Sequence, residues 1–278
     1  MAKRIVEESS LVSVANAIRT KGGTTGSLVF PDGFVTAIGN IQSGGGGGGT
    51  NLAPLVDGSI TEVTSDMMEG CTNIRTYAFY KCRSLTSIVI PNGVTSIGDS
   101  AFYNCISLTS VVIPNSVTSF SNYAFYSCSK LTSIVIPNGA TSIGNNAFYN
   151  CKSLTSIVIP NSVTSIGGSA FSMCSGLTSV VISNSVGLIG SSAFYSCSKL
   201  TSIVIPNSVT SIGNNAFANC SSLATVELKR TTPPTLNRTA FNNCTALTQI
   251  IVPAGKLSAY KSATNWSAYA NIMVEASA

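Results

Sequence analysis

Apolar residues return along most of the chain in short clusters separated by a fixed interval. One complete unit, residues 101–123, reads AFYNCISLTSVVIPNSVTSFSNY. In the unit before it, Leu85, Ile88 and Ile90 have the spacing L-x-x-I-x-I. Ile88 and Ile90 alternate with period 2, so they share one face while Val89 points to the other. This cluster predicts a short strand that is buried on one face only.

A second apolar cluster follows each strand after a turn signal. Pro91-Asn92 separates the clusters, and Pro also blocks continuation of a strand ladder. Val94 and Ile97 then lead to Ala101 and Phe102. We therefore expect a second short strand, a corner at Gly98, and a tight helical turn at the A-F-x-x-C segment.

Cysteines mark the repeat interval. From Cys82 to Cys220 they recur every 23 residues, and Cys244 follows after 24. Cys71 precedes Cys82 by only 11, which predicts a truncated first unit. A segment this short cannot bury its own apolar face, whereas stacked copies can. The predicted core columns are Cys82, Cys105, Cys128, Cys151, Cys174, Cys197 and Cys220, and Leu85, Leu108, Leu131, Leu154, Leu177 and Leu200.

The pattern A-F-x-x-C-x-x-L-T-S-I-x-I-P-x-S-V-T-S-I-G resembles the BspA-like leucine-rich repeat over about residues 67–252. The resemblance and the spacing together predict a mostly β, right-handed leucine-rich-repeat solenoid with a parallel ladder and short helical turns. The end of the chain, with Pro253-Ala254-Gly255 and Asn265-Trp266-Ser267, resembles the helical cap that closes such arrays. The residues expected to cover the last coil are Leu257, Tyr260, Trp266, Tyr269 and Ile272.

Four segments are predicted along the chain. Residues 1–42 do not repeat, and the helical spacing of Leu11, Val14 and Ile18 indicates a small helical docking module. Residues 43–52 contain Gly44 to Gly49 and form a flexible linker; they lack the lysine of a phosphate-binding loop. The solenoid then occupies residues 53–252 and the cap residues 253–278.

The N-terminal module resembles the starts of tail-associated structural proteins of phages and prophages. The similar segments are residues 15–23 and 30–34. The resemblance implies that residues 1–42 attach to a virion structural protein. Glu7 and Glu8 stand where a secretion signal would be apolar, so we expect no such signal. The expected location is the virion, after synthesis in the bacterial cytoplasm, with the extracellular cell surface as the alternative.

Composition narrows the classes of function. Only 9% of residues are charged, the net charge is +5, and the basic residues are scattered singly, which argues against nucleic-acid binding. No apolar run approaches the length of a membrane span. The chain has no histidine, and Asp99 and Glu227 are the only acids between Cys71 and Leu228, some five coils apart. We therefore predict a protein that is not an enzyme and needs no cofactor.

The cysteine column allows three interpretations. Buried free thiols that act as small hydrophobes are favoured, since parallel side chains do not aim at each other and nine is an odd number. Some disulfides remain an alternative. A metal site is the third, although the chain has neither C-x-x-C pairs nor histidines.

Two outward columns are candidate binding surfaces. The tyrosine column is Tyr80, Tyr103, Tyr126, Tyr149 and Tyr195. Its rings suit sugars or protein loops, or they pack on each other along the edge. The valine column is Val89, Val112, Val135, Val158, Val181 and Val204. It is either a binding face or a consequence of the strand preference of valine. The basic residues near the cysteine bend are expected to be solvated; they are Arg83, Lys130, Lys152 and Lys199.

These observations predict a non-enzymatic binding or adhesion protein. The favoured hypothesis is a phage or prophage tail-associated protein that displays its repeats to the host cell surface. A bacterial adhesin of the BspA type and an intracellular protein-interaction scaffold are the alternatives. The expected partner is a protein or a cell-surface glycan.

Overall fold

Each 23-residue unit forms one coil with two short strands and a run of turns, and the coils stack in register. A computed structural model describes residues 61–65, 68 and 70–277. All strand pairs in this part are parallel, and the pairs within the solenoid join equivalent strands of adjacent coils. The predicted parallel leucine-rich-repeat solenoid is confirmed. The predicted module of residues 1–42 and the linker of residues 43–52 lie outside the described residues.

The first strands of the coils carry the T-S-I-V-I segment. Their buried and exposed residues alternate as expected from period 2. These strands are β1 (Glu62–Val63), β3 (Ser87–Val89), β5 (Ser110–Val112), β8 (Ser156–Ile159), β10 (Ser179–Ile182), β12 (Ser202–Ile205), β14 (Thr225–Leu228), β16 (Gln249–Val252) and β17 (Met273–Glu275).

The second strands carry the T-S-I segment and form one continuous sheet of eight strands. They are β2 (Asn73–Ile74), β4 (Ser96–Ile97), β6 (Ser119–Phe120), β7 (Ser142–Ile143), β9 (Ser165–Ile166), β11 (Leu188–Ile189), β13 (Ser211–Ile212) and β15 (Thr235–Leu236). The column of first strands is instead divided into sheets of three, two and four strands. Residues 133–136 keep the alternation of exposed and buried side chains, but no described ladder pairs them with β5 or β8.

The A-F-x-x-C segment is a run of overlapping turns, where the sequence predicts a helical turn. Alternate N–H groups donate to a carbonyl three residues back, as Tyr103 does to Ser100 at 3.1 Å. The N–H groups between them donate to the next coil, as Phe102 does to Ala124 at 2.7 Å. Two residues per coil have positive φ, for example Ser100 at 54° and Asn104 at 62°. Asn tolerates this region better than most residues, which accounts for the Asn that recurs before the cysteine.

The core consists of columns that run along the solenoid. The rings of one phenylalanine column lie 4.8–5.5 Å apart and within 10° of parallel. Every residue of the predicted cysteine and leucine columns is fully buried. The phenylalanines are Phe79, Phe102, Phe125, Phe148, Phe171, Phe194, Phe217 and Phe241.

The first coil is complete, so the prediction of a truncated unit at Cys71 is wrong. β1 pairs with β3, and β2 pairs with β4, so this coil has both strands. The N–H of Thr95 donates to the carbonyl of Thr72 at 2.9 Å, which places Cys71 at the position of Val94. Cys71 therefore stands at the corner before the second strand, outside the cysteine column. Cys71 and Cys82 lie 11 residues apart because they occupy two different positions of the same coil.

The C-terminal cap covers the last coil with two short helices, and the chain then returns to the sheet. The α-helix α1 spans Leu257–Ser262, and a 3-10 helix spans Ser267–Ile272. Tyr260 and Trp266 are fully buried, as the sequence predicts, whereas Leu257, Tyr269 and Ile272 are half-buried. β17 then pairs with β16, which the sequence does not predict.

Candidate functional site

The valine column lies on the outer face of the first strands. Its exposure rises from 38% at Val89 and 56% at Val112 to 74% at Val135, then falls from 60% at Val158 to 44% at Val204. Strand register places these residues next to one another, as in the pairs Val89–Val112 and Val158–Val181. The column is therefore a row of exposed valines at one position of successive coils, with Val135 standing between the two paired stretches.

The centre of the valine column coincides with the interruption of the sheet. Val135 is the most exposed valine, and it lies in the segment 133–136 that pairs with neither neighbouring strand. Ser110, Ser133, Ser156 and Ser179 run beside the column and are exposed. The stripe thus offers apolar contact along one line and hydroxyl groups along the next.

Four of the five residues of the tyrosine column stack on each other. The ring centroids of Tyr80, Tyr103, Tyr126 and Tyr149 are separated by 5.0, 4.6 and 4.6 Å. The last two pairs lie within 2° of parallel. Mutual stacking therefore covers the faces of the inner rings and leaves their edges and hydroxyl groups outward. Tyr195 lies apart because Ser172 interrupts the column.

The hydroxyl groups of the tyrosine column differ in their surroundings. The Tyr149 hydroxyl donates to Met173 Sδ at 3.0 Å. Burial, and then the neighbouring Tyr149 and Tyr103, raise the pKa of Tyr126, because each disfavours the phenolate. Among the described residues, no protein acceptor takes the hydroxyl of Tyr103 or Tyr126.

Two further tyrosines extend this edge, and the repeat pattern did not single them out. Tyr77 is 50% exposed and meets Tyr80 edge-on at 5.4 Å. Tyr123 is 41% exposed and lies 5.8 Å from Tyr126. Both occupy the positive-φ position before Ala-Phe, where Ser or Asn stands in five other coils. The replacement of a small polar residue by an aromatic one at this position is the feature of the sequence that could have identified Tyr77 and Tyr123 as part of this edge.

Seven thiols of the cysteine column bond to the backbone of the neighbouring coil. Each thiol from Cys105 to Cys244 donates to the carbonyl of a phenylalanine in the preceding coil at 3.0–3.3 Å. All nine cysteines are free. Burial raises the pKa of Cys174 to about 12 and that of Cys151 well above its usual value. The Cys151 and Cys174 thiols are therefore neutral near pH 7, and every thiol of the column except the half-buried Cys244 is fully buried.

The two acids between Cys71 and Leu228 interact with other groups of the protein. Asp99 Oδ1 accepts the N–H of Asn122 at 2.9 Å. Glu227 pairs with Lys229, the one ion pair among the described residues. No cluster of potential metal ligands occurs in residues 70–277. The basic residues Arg83, Lys130, Lys152 and Lys199 are exposed at the bend after the cysteine.

One further exposed apolar residue lies on the sheet of second strands. Leu188 is 46% exposed and pairs with Ser165 and Ser211 of the adjacent coils. It stands alone among serines, in contrast to the valine column. No helix in the described part is both long and apolar enough to cross a bilayer.

A family model matches most of the chain. The model describes a BspA type leucine-rich repeat region, and it covers residues 72–200 and 141–271. No curated protein matches the sequence.

Solved structures share the fold. A leucine-rich repeat protein from Bacteroides ovatus is 26% identical with a TM-score of 0.52, and the match covers 74% of this chain and 63% of that one. The leucine-rich repeat protein of T. pallidum is 26% identical with a TM-score of 0.50, and the match covers 67% of this chain and 78% of that one. The chain thus spans 63% of the length of the Bacteroides ovatus protein.

Proposed function

Because the chain belongs to the BspA-type leucine-rich repeat family, we propose that it is a non-enzymatic binding protein whose valine column contacts a cell-surface partner. The observation that carries this proposal is the stripe of exposed valines at the centre of the first strands. Apolar surface of this extent is typical of interaction sites, since monomers seldom leave it bare. Adjacent serine hydroxyls supply hydrogen bonds at the rim.

A triple substitution at the centre of the stripe tests this proposal. Val112→Thr, Val135→Thr and Val158→Thr keep the shape, the β-propensity and the charge while removing apolar surface. We expect binding of the fluorescently labelled protein to intact cells of its target strain to fall at least about tenfold. The matched control is Leu188→Thr, which changes one exposed apolar residue on the other sheet. Equal loss in the control, or full binding by the triple variant, contradicts the proposal.

We further propose that the protein is associated with a phage or prophage tail. Support comes from the resemblance of residues 15–23 and 30–34 to tail-associated proteins. Residues 1–42 would then attach to the virion and the solenoid would face the host.

Mass spectrometry of purified virions or induced-prophage particles tests the virion association. The proposal expects the chain in the particles at a fixed ratio to the tail proteins. Its absence from particles, together with detection on intact cells without phage induction, would instead favour a bacterial surface adhesin.

A further inference from the structure

Cations accompany the tyrosines of the tyrosine column. A basic residue follows three or four positions after the tyrosine in four coils, as the pairs Tyr80–Arg83, Tyr126–Lys130, Tyr149–Lys152 and Tyr195–Lys199 show. Only Tyr103 lacks one, with Ile106 and Ser107 at these positions. Where Ser172, Ala218 or Asn242 replaces the tyrosine, no basic residue follows at either position. The two residue types therefore occur as a unit.

Within residues 70–277, these cations have no acidic partners. Lys81, Arg83, Lys130 and Lys152 are exposed. Asp99 is the one acid between Gly70 and Val226, and its carboxylate already accepts a backbone N–H. No ion pair in the described chain includes a residue of this group, and Lys81 Nζ lies 5.1 Å from the centroid of Tyr80. The edge from Tyr80 to Lys152 thus carries several cations that pair with no acid of residues 70–277.

The stacked tyrosines present a surface suited to anions. Ring faces, on which neutral sugars stack, are covered between Tyr80 and Tyr149. Ring edges carry the positive end of the aromatic quadrupole, and the hydroxyls add hydrogen-bond donors. The ring spacing of 4.6–5.0 Å repeats these donors along the solenoid axis.

We propose that the edge of the first four coils, from Tyr80 to Lys152, binds a linear polyol-phosphate chain. A ligand of repeating units matches this surface, because each of the four coils presents a tyrosine ring edge at the same position and three of the four add a cation after it. A protein segment of varied sequence gains nothing from such repetition.

Phosphate is an anion that these cations bind. Lys130 and Lys152, and Lys81 beside the tyrosines, are point charges that pair with phosphate oxygens. Arg83, the one Arg of this group, has the fork of donors that binds phosphate in a bidentate geometry. The polymer therefore lies along the edge with its phosphates near the cations and its oxygens accepting from Tyr103 and Tyr126.

Binding of immobilised poly(glycerol phosphate) by the full chain tests this surface. Lys130→Gln with Lys152→Gln is expected to weaken the Kd at least about tenfold, and raised ionic strength to weaken it further. The charge-matched control, Arg238→Gln with Lys261→Gln, changes two exposed cations elsewhere and should alter the Kd by less than about twofold. Tyr103→Phe with Tyr126→Phe keeps the ring stack, removes two outward hydroxyls, and should weaken the Kd by about threefold.

Four results would overturn the assignment. These are no binding to the polymer, equal loss in the charge-matched control, unchanged binding by the Phe pair, and equal or tighter binding to polygalacturonate or to a single-stranded oligonucleotide. Neutral dextran should not bind. The surface is separate from the valine column, so the triple Val→Thr variant should bind poly(glycerol phosphate) normally whatever the outcome of the cell-binding test.

Discussion

The glycine that follows five of the eight second strands is favoured by the close approach of neighbouring coils. A Cβ built at Gly167 would lie 2.7 Å from the carbonyl carbon of Gly144 and from the oxygen of Ile143. Ser121 occupies this position in one coil, and its N–H bond to Ile97 is 3.3 Å long, whereas Gly144 and Gly167 make the equivalent bonds at 2.8 and 2.9 Å. The Cβ is thus accommodated only by lengthening the hydrogen bond between the coils.

We expect Gly167→Ala to lower the free energy of unfolding by about 1–3 kcal/mol, because backbone on both coils must move. Gly187→Ala is the control, since its added Cβ meets nothing nearer than 3.9 Å. That variant should stay within about 0.5 kcal/mol of the parent. Chemical denaturation measures both, and equal destabilisation would contradict the close-approach explanation.

The cysteine thiols should be unreactive in the folded protein. Burial raises the pKa of Cys71 to about 11 and those of Cys174 and Cys244 to about 12. A raised pKa keeps the thiol protonated, and only the thiolate reacts. At pH 8 we expect slow labelling of native protein by a disulfide reagent, and nine reactive thiols after unfolding without reductant. Rapid native labelling, or a count well below nine, would contradict this arrangement.

Among the elements, the C-terminal cap donates side-chain hydrogen bonds to backbone carbonyls of the last coil, which has no following coil to bond them. The N–H groups of Thr235 and Asn237 donate back to the preceding coil, so the carbonyls of Pro234 and Leu236 point forward. Trp266 Nε1 donates to Pro234 and Asn265 Nδ2 to Leu236, at 2.7 and 2.8 Å. The cap thus provides hydrogen-bond partners for backbone carbonyls of the last coil and also covers the apolar side chains of that coil.

The Tyr260 hydroxyl has the same role, since it donates to the Arg230 carbonyl at 2.7 Å. Tyr260→Phe should therefore lower the free energy of unfolding by about 1 kcal/mol. Tyr269→Phe is the matched control, because no protein acceptor takes its hydroxyl in the described chain. Thermal unfolding followed by circular dichroism compares the two, and an equal effect of both substitutions would argue against the capping bond.

The sequence predicts the strands and their stacking, because both follow from the two-residue alternation and the 23-residue interval of apolar positions. Alternation of Ile88, Val89 and Ile90 predicts the face that each side chain takes. The position of Cys71 could not be predicted from cysteine spacing, because two corners of a coil accept a small apolar side chain. The sequence allows the outward tyrosines either to bind a ligand with their ring faces or to pack on each other. The parallel rings of Tyr103 and Tyr126 show that they pack on each other.

In the solenoid as a whole, the register between coils determines which side chains lie next to one another on each surface. A residue type repeated every 23 positions becomes a column, whether buried like the leucines or outward like the valines. Stability therefore depends on contacts between neighbouring coils, as in other solenoids. A binding surface in such a protein arises from a single position repeated along the axis.

Anomalous scattering from sulfur in a crystal of this protein tests the register most directly. The account predicts one row of eight sulfur sites, Cys82 to Cys244, about 5 Å apart, with the Cys71 sulfur off the row. Sulfur sites scattered through separate cores, Cys71 aligned within the row, or pairs at bonding distance would contradict it.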